Sequence, residues 1–170
     1  MDLRAALRFY FITDDRAPHL APVDQVRAAL MGGATFIQYR RKHFSAADFP
    51  EAAAIRDLCR VNRVPFVVND HLLLAKAVGA DGVHLGQDDE PPAVAREVLG
   101  PRAIVGVSIS DLNELARTDL APCDYVGSGP IFATGTKADA KPVRGLAGLK
   151  AIVDAVSMPV VAIGGIDAGR

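Results

Sequence analysis

Thr134-Gly135-Thr136-Lys137 gathers two hydroxyls, a residue without a Cβ and one ammonium into four positions, just after a short apolar run that ends Gly127-Ser128-Gly129-Pro130-Ile131-Phe132. All of these groups can donate to a phosphate or pyrophosphate, and a glycine lets the backbone come close to the anion. Ordinary turns favour the same residue types, so the reading depends on what accompanies the segment. Other apolar runs end in matching chemistry. Gln38-Tyr39-Arg40-Arg41-Lys42 offers an amide and three cations, Asn69-Asp70-His71 an amide and a carboxylate, Gly86-Gln87-Asp88-Asp89 two further acids, Ser108 a hydroxyl, and Gly164-Gly165 an unhindered backbone.

The elements that must present these residues alternate. β-branched or aromatic runs at Phe9 to Thr13, Thr35 to Arg40, Pro65 to Asn69, Gly82 to Gly86, Ala103 to Ser108, Asp124 to Gly129 and Pro159 to Gly164 predict seven strands. Ala- and Leu-rich stretches predict helices at Val23 to Met31, Ser45 to Val61, His71 to Val78, Ala93 to Leu99, Asp111 to Thr118 and Leu146 to Val156. Ser45 and Asp48 have capping-box spacing, and Pro50 predicts an early break or kink in that helix. Gly32-Gly33-Ala34-Thr35, Gly79-Ala80-Asp81-Gly82 and, more loosely, Ala121-Pro122-Cys123-Asp124 each stop a helix and start a strand at once. So short a return produces a parallel sheet.

Alternating strand and helix with near-continuous apolar strands defines an α/β class. Both an open doubly wound sheet and a TIM (β/α)8 barrel fit. The barrel is favoured, because no G-x-G-x-x-G turn is present and polar residues follow almost every strand. The expectation is a single barrel domain over 1–170. It carries seven units, so the eighth strand and last helices are missing from this chain and C-terminal truncation is expected. Strands one and seven would then have unpaired edges, which leaves room for a homo-oligomer.

The 170 residues are half hydrophobic, enough for a substantial core, and 19 basic against 20 acidic residues leave a net charge of −1. Such a balance provides no broad field for nucleic acid or a membrane surface, so any basic site must be local. Cys59 and Cys123 form no C-x-x-C pair, and no leader or apolar span of about 20 residues is evident, so a cytoplasmic protein is expected.

Barrel catalytic residues sit at the strand exits. Neighbouring strands lie about 4.8 Å apart, so acids beyond strands three and four can share one cation. Asp70 and Asp89 are the candidate pair, and a site completed by waters and phosphate oxygens suits Mg2+. The structural alternative makes Asp70 a helix N-cap and Asp88-Asp89 a solvated turn. With cations at Arg40, Lys42 and Lys137 and polar groups at Gln38, Asn69 and Ser108, the set describes a pyrophosphate clamp that stabilises a departing anion. Gly164-Gly165 also matches the barrel phosphate site after strands seven and eight.

The combined motifs resemble the thiamine phosphate synthase family across the whole chain: Gln38-x-Arg40-x-Lys42, Asn69-Asp70, Gly-Val-His-Leu-Gly-Gln-Asp-Asp over 82–89, Gly-Val-Ser over 106–108, Thr-x-Thr-Lys over 134–137 and Ile-Gly-Gly-Ile over 163–166. The resemblance implies that Asp70 and Asp89 hold Mg2+. It implies that Gln38, Tyr39, Arg40, Arg41, Lys42, Asn69, Ser108 and Lys137 bind hydroxymethylpyrimidine diphosphate, with Lys137, Arg40 and Ser108 catalytic. Thr134, Gly135, Thr136 and Gly165 would hold the thiazole phosphate. The two small phosphorylated substrates would join as pyrophosphate leaves and the thiazole nitrogen captures a pyrimidinylmethyl cation.

Arg41 stands where many relatives carry an acid, and Gly135 replaces a larger residue. A related thiazole tautomerase would carry a strand-six histidine where this chain has Ser128-Gly129-Pro130. A noncatalytic phosphate-binding module is the other alternative. His84, in a strand interior, is expected to be a packed, hydrogen-bonded residue, and His19, His43 and His71 have no transition-metal spacing.

Overall fold

The computed structural model of this chain describes residues 1–17, 19–134, 141–167 and 169. Within them the order is α1 (Leu3–Ala6), β1 (Tyr10–Ile12), α2 (Pro22–Met31), β2 (Phe36–Tyr39), α3 (Phe49–Asn62), β3 (Phe66–Asn69), α4 (Leu72–Val78) and β4 (Gly82–Leu85). Then come α5 (Pro92–Leu99), β5 (Ile104–Ser108), α6 (Leu112–Arg117), β6 (Tyr125–Ser128), α7 (Gly145–Ala155) and β7 (Val160–Ala162). Each of the seven expected strands contains its observed one. Among the described residues no helix is long and apolar enough to cross a membrane.

All pairings are parallel, and strand order equals chain order from β1 to β7. In a flat sheet β1 and β6 would stand about 24 Å apart at ~4.8 Å per strand. Instead the Tyr10 and Tyr125 hydroxyls meet at 2.8 Å. Leu3, Ala6 and Leu7 pack into the same inner cluster as Val161 of β7, and Arg4 donates to the Ser157 carbonyl at 2.9 Å. The sheet therefore curls into a nearly closed TIM-like barrel, with the short α1 helping to fill its interior.

Two-residue alternation sorts the strand side chains. Phe36, Val67, Ile104 and Tyr125 point inward with Tyr10 and Val161. Ile37, Tyr39, Phe66, Val68, Val83, Leu85 and Val105 point outward and pack against Val26, Ile55, Leu74 and Ala95 of the helices. At about 25 cal/mol per Å² of apolar surface, this outer layer supplies much of the burial that holds helices to strands.

The device before alternate strands has a physical cause. Thr35 Oγ1, Asp81 Oδ2 and Asp124 Oδ2 accept the amides of Phe9, Phe66 and Val105, at 2.9, 2.8 and 2.7 Å. Each entry residue of an even strand thus latches the start of the odd strand before it. Gly79 ends α4 at φ 66°, where glycine escapes the Cβ clash of other residues. The Ser45–Asp48 capping box forms on a 3-10 turn at Ala46–Asp48. α3 starts after it with Pro50 in its first turn, where a missing N–H costs nothing, so the break precedes the proline.

Candidate active site

The strand exits form one mouth. Gln38, Asn69 and Ser108 share the inward parity of their strands, and Gln38 is buried at 2% exposure. Arg40 continues the Gln38 parity past the end of β2, where its amide takes the Thr13 hydroxyl as acceptor at 2.9 Å. Lys42 is exposed, with its backbone N–H held by Asp15 at 3.0 Å.

Tyr39 and Arg41 are turned elsewhere. Tyr39 has the opposite parity, is 1% exposed, and donates its hydroxyl to Glu51 of α3 at 2.8 Å. Its phenol is pushed up, first by burial and then by the Glu51 carboxylate. Arg41 donates through Nε to Asp48 at 2.9 Å, with Glu51 3.7 Å from its guanidinium. Asp48 is held below the usual carboxylate range by the Ser45 amide first and by Arg41 second. The extra cation noted in the sequence is therefore largely neutralised by acids of its own wall.

Asp70 and Asp89 leave the exits of the paired strands β3 and β4, whose last contact pairs Asn69 with His84. Asp70 adopts φ 61°, a left-handed conformation that Asp tolerates better than most residues. It is not the α4 cap, which is His71. Asp89 accepts the Gly86 amide on Oδ2 at 2.6 Å, and this fixes the carboxylate in the turn. Among the described residues no group of three or more His, Cys, Asp or Glu side chains could hold a metal ion. Two carboxylates alone fit a hard ion that keeps water and substrate oxygens in its other positions.

Ser108 and Gln38 are joined through the barrel interior. Gln38 Nε2 donates to the Tyr10 hydroxyl at 2.7 Å, which meets the Tyr125 hydroxyl at 2.8 Å. Tyr125 meets His84 Nδ1 at 2.9 Å, and His84 Nε2 meets Ser108 Oγ at 2.9 Å. Burial pushes both tyrosines well above the ordinary phenol range, so they stay protonated. A buried polar group left without its partner costs about 1–3 kcal/mol, which makes the continuity of this chain energetically important. Two glycines make room for it. A Cβ on Gly106 would lie 2.1 Å from the Tyr125 ring, and one on Gly127 would lie 2.9 Å from His84. Tyr10, His84 and Tyr125 are the residues that reading the sequence did not place at the site. The small residue at inward positions of β5 and β6 was their only signal.

The residues on either side of the candidate anion-binding segment are tied to the rest of the barrel. Ile131 and Phe132 donate to the carbonyls of Ile163 and Gly164, both at 2.9 Å, so the exits of β6 and β7 run together. Gly165, at φ 63°, lies so close that a Cβ would stand 2.5 Å from the Ala133 carbonyl, which brings it beside half-buried Thr134. Gly135, Thr136 and Lys137 lie outside the described residues. Past them, Lys141 pairs with Glu114, and Arg144 Nη2 donates to Asp111 at 2.8 Å. Glu114 is 5% exposed; burial alone would raise its pKa, but Lys141 and the Ser110 amide, at 2.7 Å, outweigh that and hold it low.

The family model described as thiamine monophosphate synthase matches residues 9–170. This chain belongs to the thiamine monophosphate synthase family. It is 44% identical over 163 residues to the thiamine-phosphate synthase of Vibrio campbellii, covering 95% of this chain and 80% of that one. Identity to the Chloroflexus aurantiacus thiamine-phosphate synthase is 48% over 165 residues, covering 94% and 74%. A solved thiamine phosphate pyrophosphorylase from Pyrococcus furiosus superposes with a TM-score of 0.84 at 42% identity, over 98% of this chain and 79% of that structure.

Proposed function

We infer that this member of the synthase family is a transferase that joins hydroxymethylpyrimidine diphosphate to hydroxyethylthiazole phosphate, giving thiamine phosphate and pyrophosphate. The observation that carries the reading is the convergence of Gln38, Asn69 and Ser108 on one inward face, with Asp70 and Asp89 beyond adjoining strands. Arg40, Lys42 and Lys137 neutralise the diphosphate. Tyr39 and Arg41 join only through their backbone, since their side chains are committed to Glu51 and Asp48. Thr134, Gly135, Thr136 and Gly165 hold the thiazole phosphate.

The donor set of Asp70 and Asp89 fits Mg2+, which when bound supplies charge to offset that of the diphosphate. As the C–O bond breaks, its electron pair leaves with pyrophosphate, and donors at Arg40, Ser108 and Lys137 stabilise that anion. The thiazole nitrogen then forms the new C–N bond. Neither step needs a protein acid or base. The cytoplasm is the proposed compartment.

Pyrophosphate release tests this reading when it is measured with both substrates, with each alone, and with and without Mg2+. Release that requires both substrates and the metal is expected. Equal release from the diphosphate alone would reject the transferase assignment.

A further inference from the structure

We propose that His84, Tyr125 and Tyr10 are positioning residues that fix the polarity of the Ser108 hydroxyl, so that Ser108 can offer its proton only toward the diphosphate. The inference deepens the proposed function and rests on Ser108 being a diphosphate ligand.

The argument starts from Gln38, whose Nε2 donates to the Tyr10 oxygen at 2.7 Å. The Tyr10 hydroxyl has one proton, and its other contact is the Tyr125 hydroxyl at 2.8 Å. Suppose Tyr10 donates to Tyr125. Tyr125 must then donate onward to His84 Nδ1, at 2.9 Å, which makes Nδ1 the acceptor and places the ring proton on Nε2. Nε2–H donates to Ser108 Oγ at 2.9 Å, so the serine proton cannot point back into the chain.

The opposite polarity fails at one point. If Tyr125 donated to Tyr10, the Tyr10 oxygen would receive two donors and its own proton would have no acceptor within the chain. With the Gln38 amide as it stands, each polarity leaves one proton without an acceptor in the network: the first leaves that of Ser108, at the strand exit where a ligand can take it, and the second that of Tyr10, packed inside the barrel. The consequence is chemical. An anion needs donors, and a serine that had spent its proton on His84 would offer the diphosphate only lone pairs.

The arrangement is built into the strands. Gly106 and Gly127 leave the space that the Tyr125 and His84 rings occupy, and side chains there would collide with both. The chain runs from β2 through β1 and β6 to β4 and β5, so it also ties the Gln38 and Ser108 exits into one rigid unit.

A double-mutant cycle tests the proposal. Tyr125→Phe removes the donor to Nδ1 while keeping the ring, and frees His84 to reverse and capture the serine proton. The expected result is a fall of about 10-fold in kcat/KM for the pyrimidine diphosphate, less than the ~10²-fold expected when the donor itself is lost in Ser108→Ala. KM for the thiazole phosphate should stay within about twofold, and in a Ser108→Ala background Tyr125→Phe should have no further effect. Equal losses in both backgrounds, or a parallel loss for both substrates, would overturn the proposal by making the role of Tyr125 structural. Should Tyr125→Phe fail to fold, His84→Gln is read in the same cycle with the same criteria. A Ser108→Ala variant with unchanged kinetics would instead remove the diphosphate role of Ser108, a separable failure of the underlying reading.

Discussion

Arg144 Nη2 lies 2.8 Å from Asp111 Oδ2, 33 residues earlier in the chain, and beside that pair Lys141 meets the buried carboxylate of Glu114. α6 and its Asp111 cap thus hold the chain at Lys141 and Arg144, ahead of α7.

Glu114→Gln should therefore lower stability by about 1–3 kcal/mol at neutral pH, the usual effect of losing a hydrogen bond to a buried charge. Its folded pKa is depressed. The contribution is accordingly present above the unfolded value, near 4.3, and is lost as pH falls through the lower folded one. Melting curves of both proteins from pH 7 to pH 3 should converge at the acid end. Curves that stay parallel would deny the ion pair its role.

Lys137→Ala and Arg40→Ala should each reduce turnover about 10²-fold or more, since each removes a donor to developing charge. Arg41→Ala should change turnover little, because its guanidinium is spent on Asp48 and Glu51. Saturation kinetics on the three variants measure the contrast, and equal losses would mean that Arg41 reaches the substrate.

Asp70→Asn and Asp89→Asn should raise the Mg2+ concentration needed for half-maximal rate while melting near the parent temperature. Asn tolerates the left-handed backbone of residue 70 as Asp does. Loss of fold before loss of the metal response would make these acids structural.

Asp124→Ala should destabilise the barrel by about 1–3 kcal/mol without touching the mouth. Its Oδ2 accepts both the Val105 amide at 2.7 Å and Arg96 at 2.8 Å, at the end of the strands opposite the site. Chemical denaturation gives the loss, and an unchanged KM for both substrates gives its separation from function.

What could be read from the sequence follows from range. Strands and helices rest on local periodicity, so the seven strand runs from Tyr10 to Ala162 and the six longer helices were legible, as was the capping box between Ser45 and Asp48. Four-residue α1 was not, because it is stabilised by packing against Val161 and Phe36 rather than by its own turns. The inward exits at Gln38, Asn69 and Ser108 were legible from strand ends. Strand alternation alone turns Tyr39 away from them, yet its neighbours in the motif drew it into the candidate set. His84 was legible as packed but not as a link between Ser108 and Tyr125, because that contact spans 41 residues and exists only once the sheet has curled. The fate of Arg41 likewise depended on where the 3-10 turn would place Asp48 and α3 would place Glu51.

The most direct measurement of the central claim quantifies thiamine phosphate and pyrophosphate together, by chromatography of one reaction containing both substrates and Mg2+. The account predicts equimolar formation of the two products, falling in parallel in Arg40→Ala. Pyrophosphate without thiamine phosphate, or neither product at any Mg2+ concentration, would contradict it.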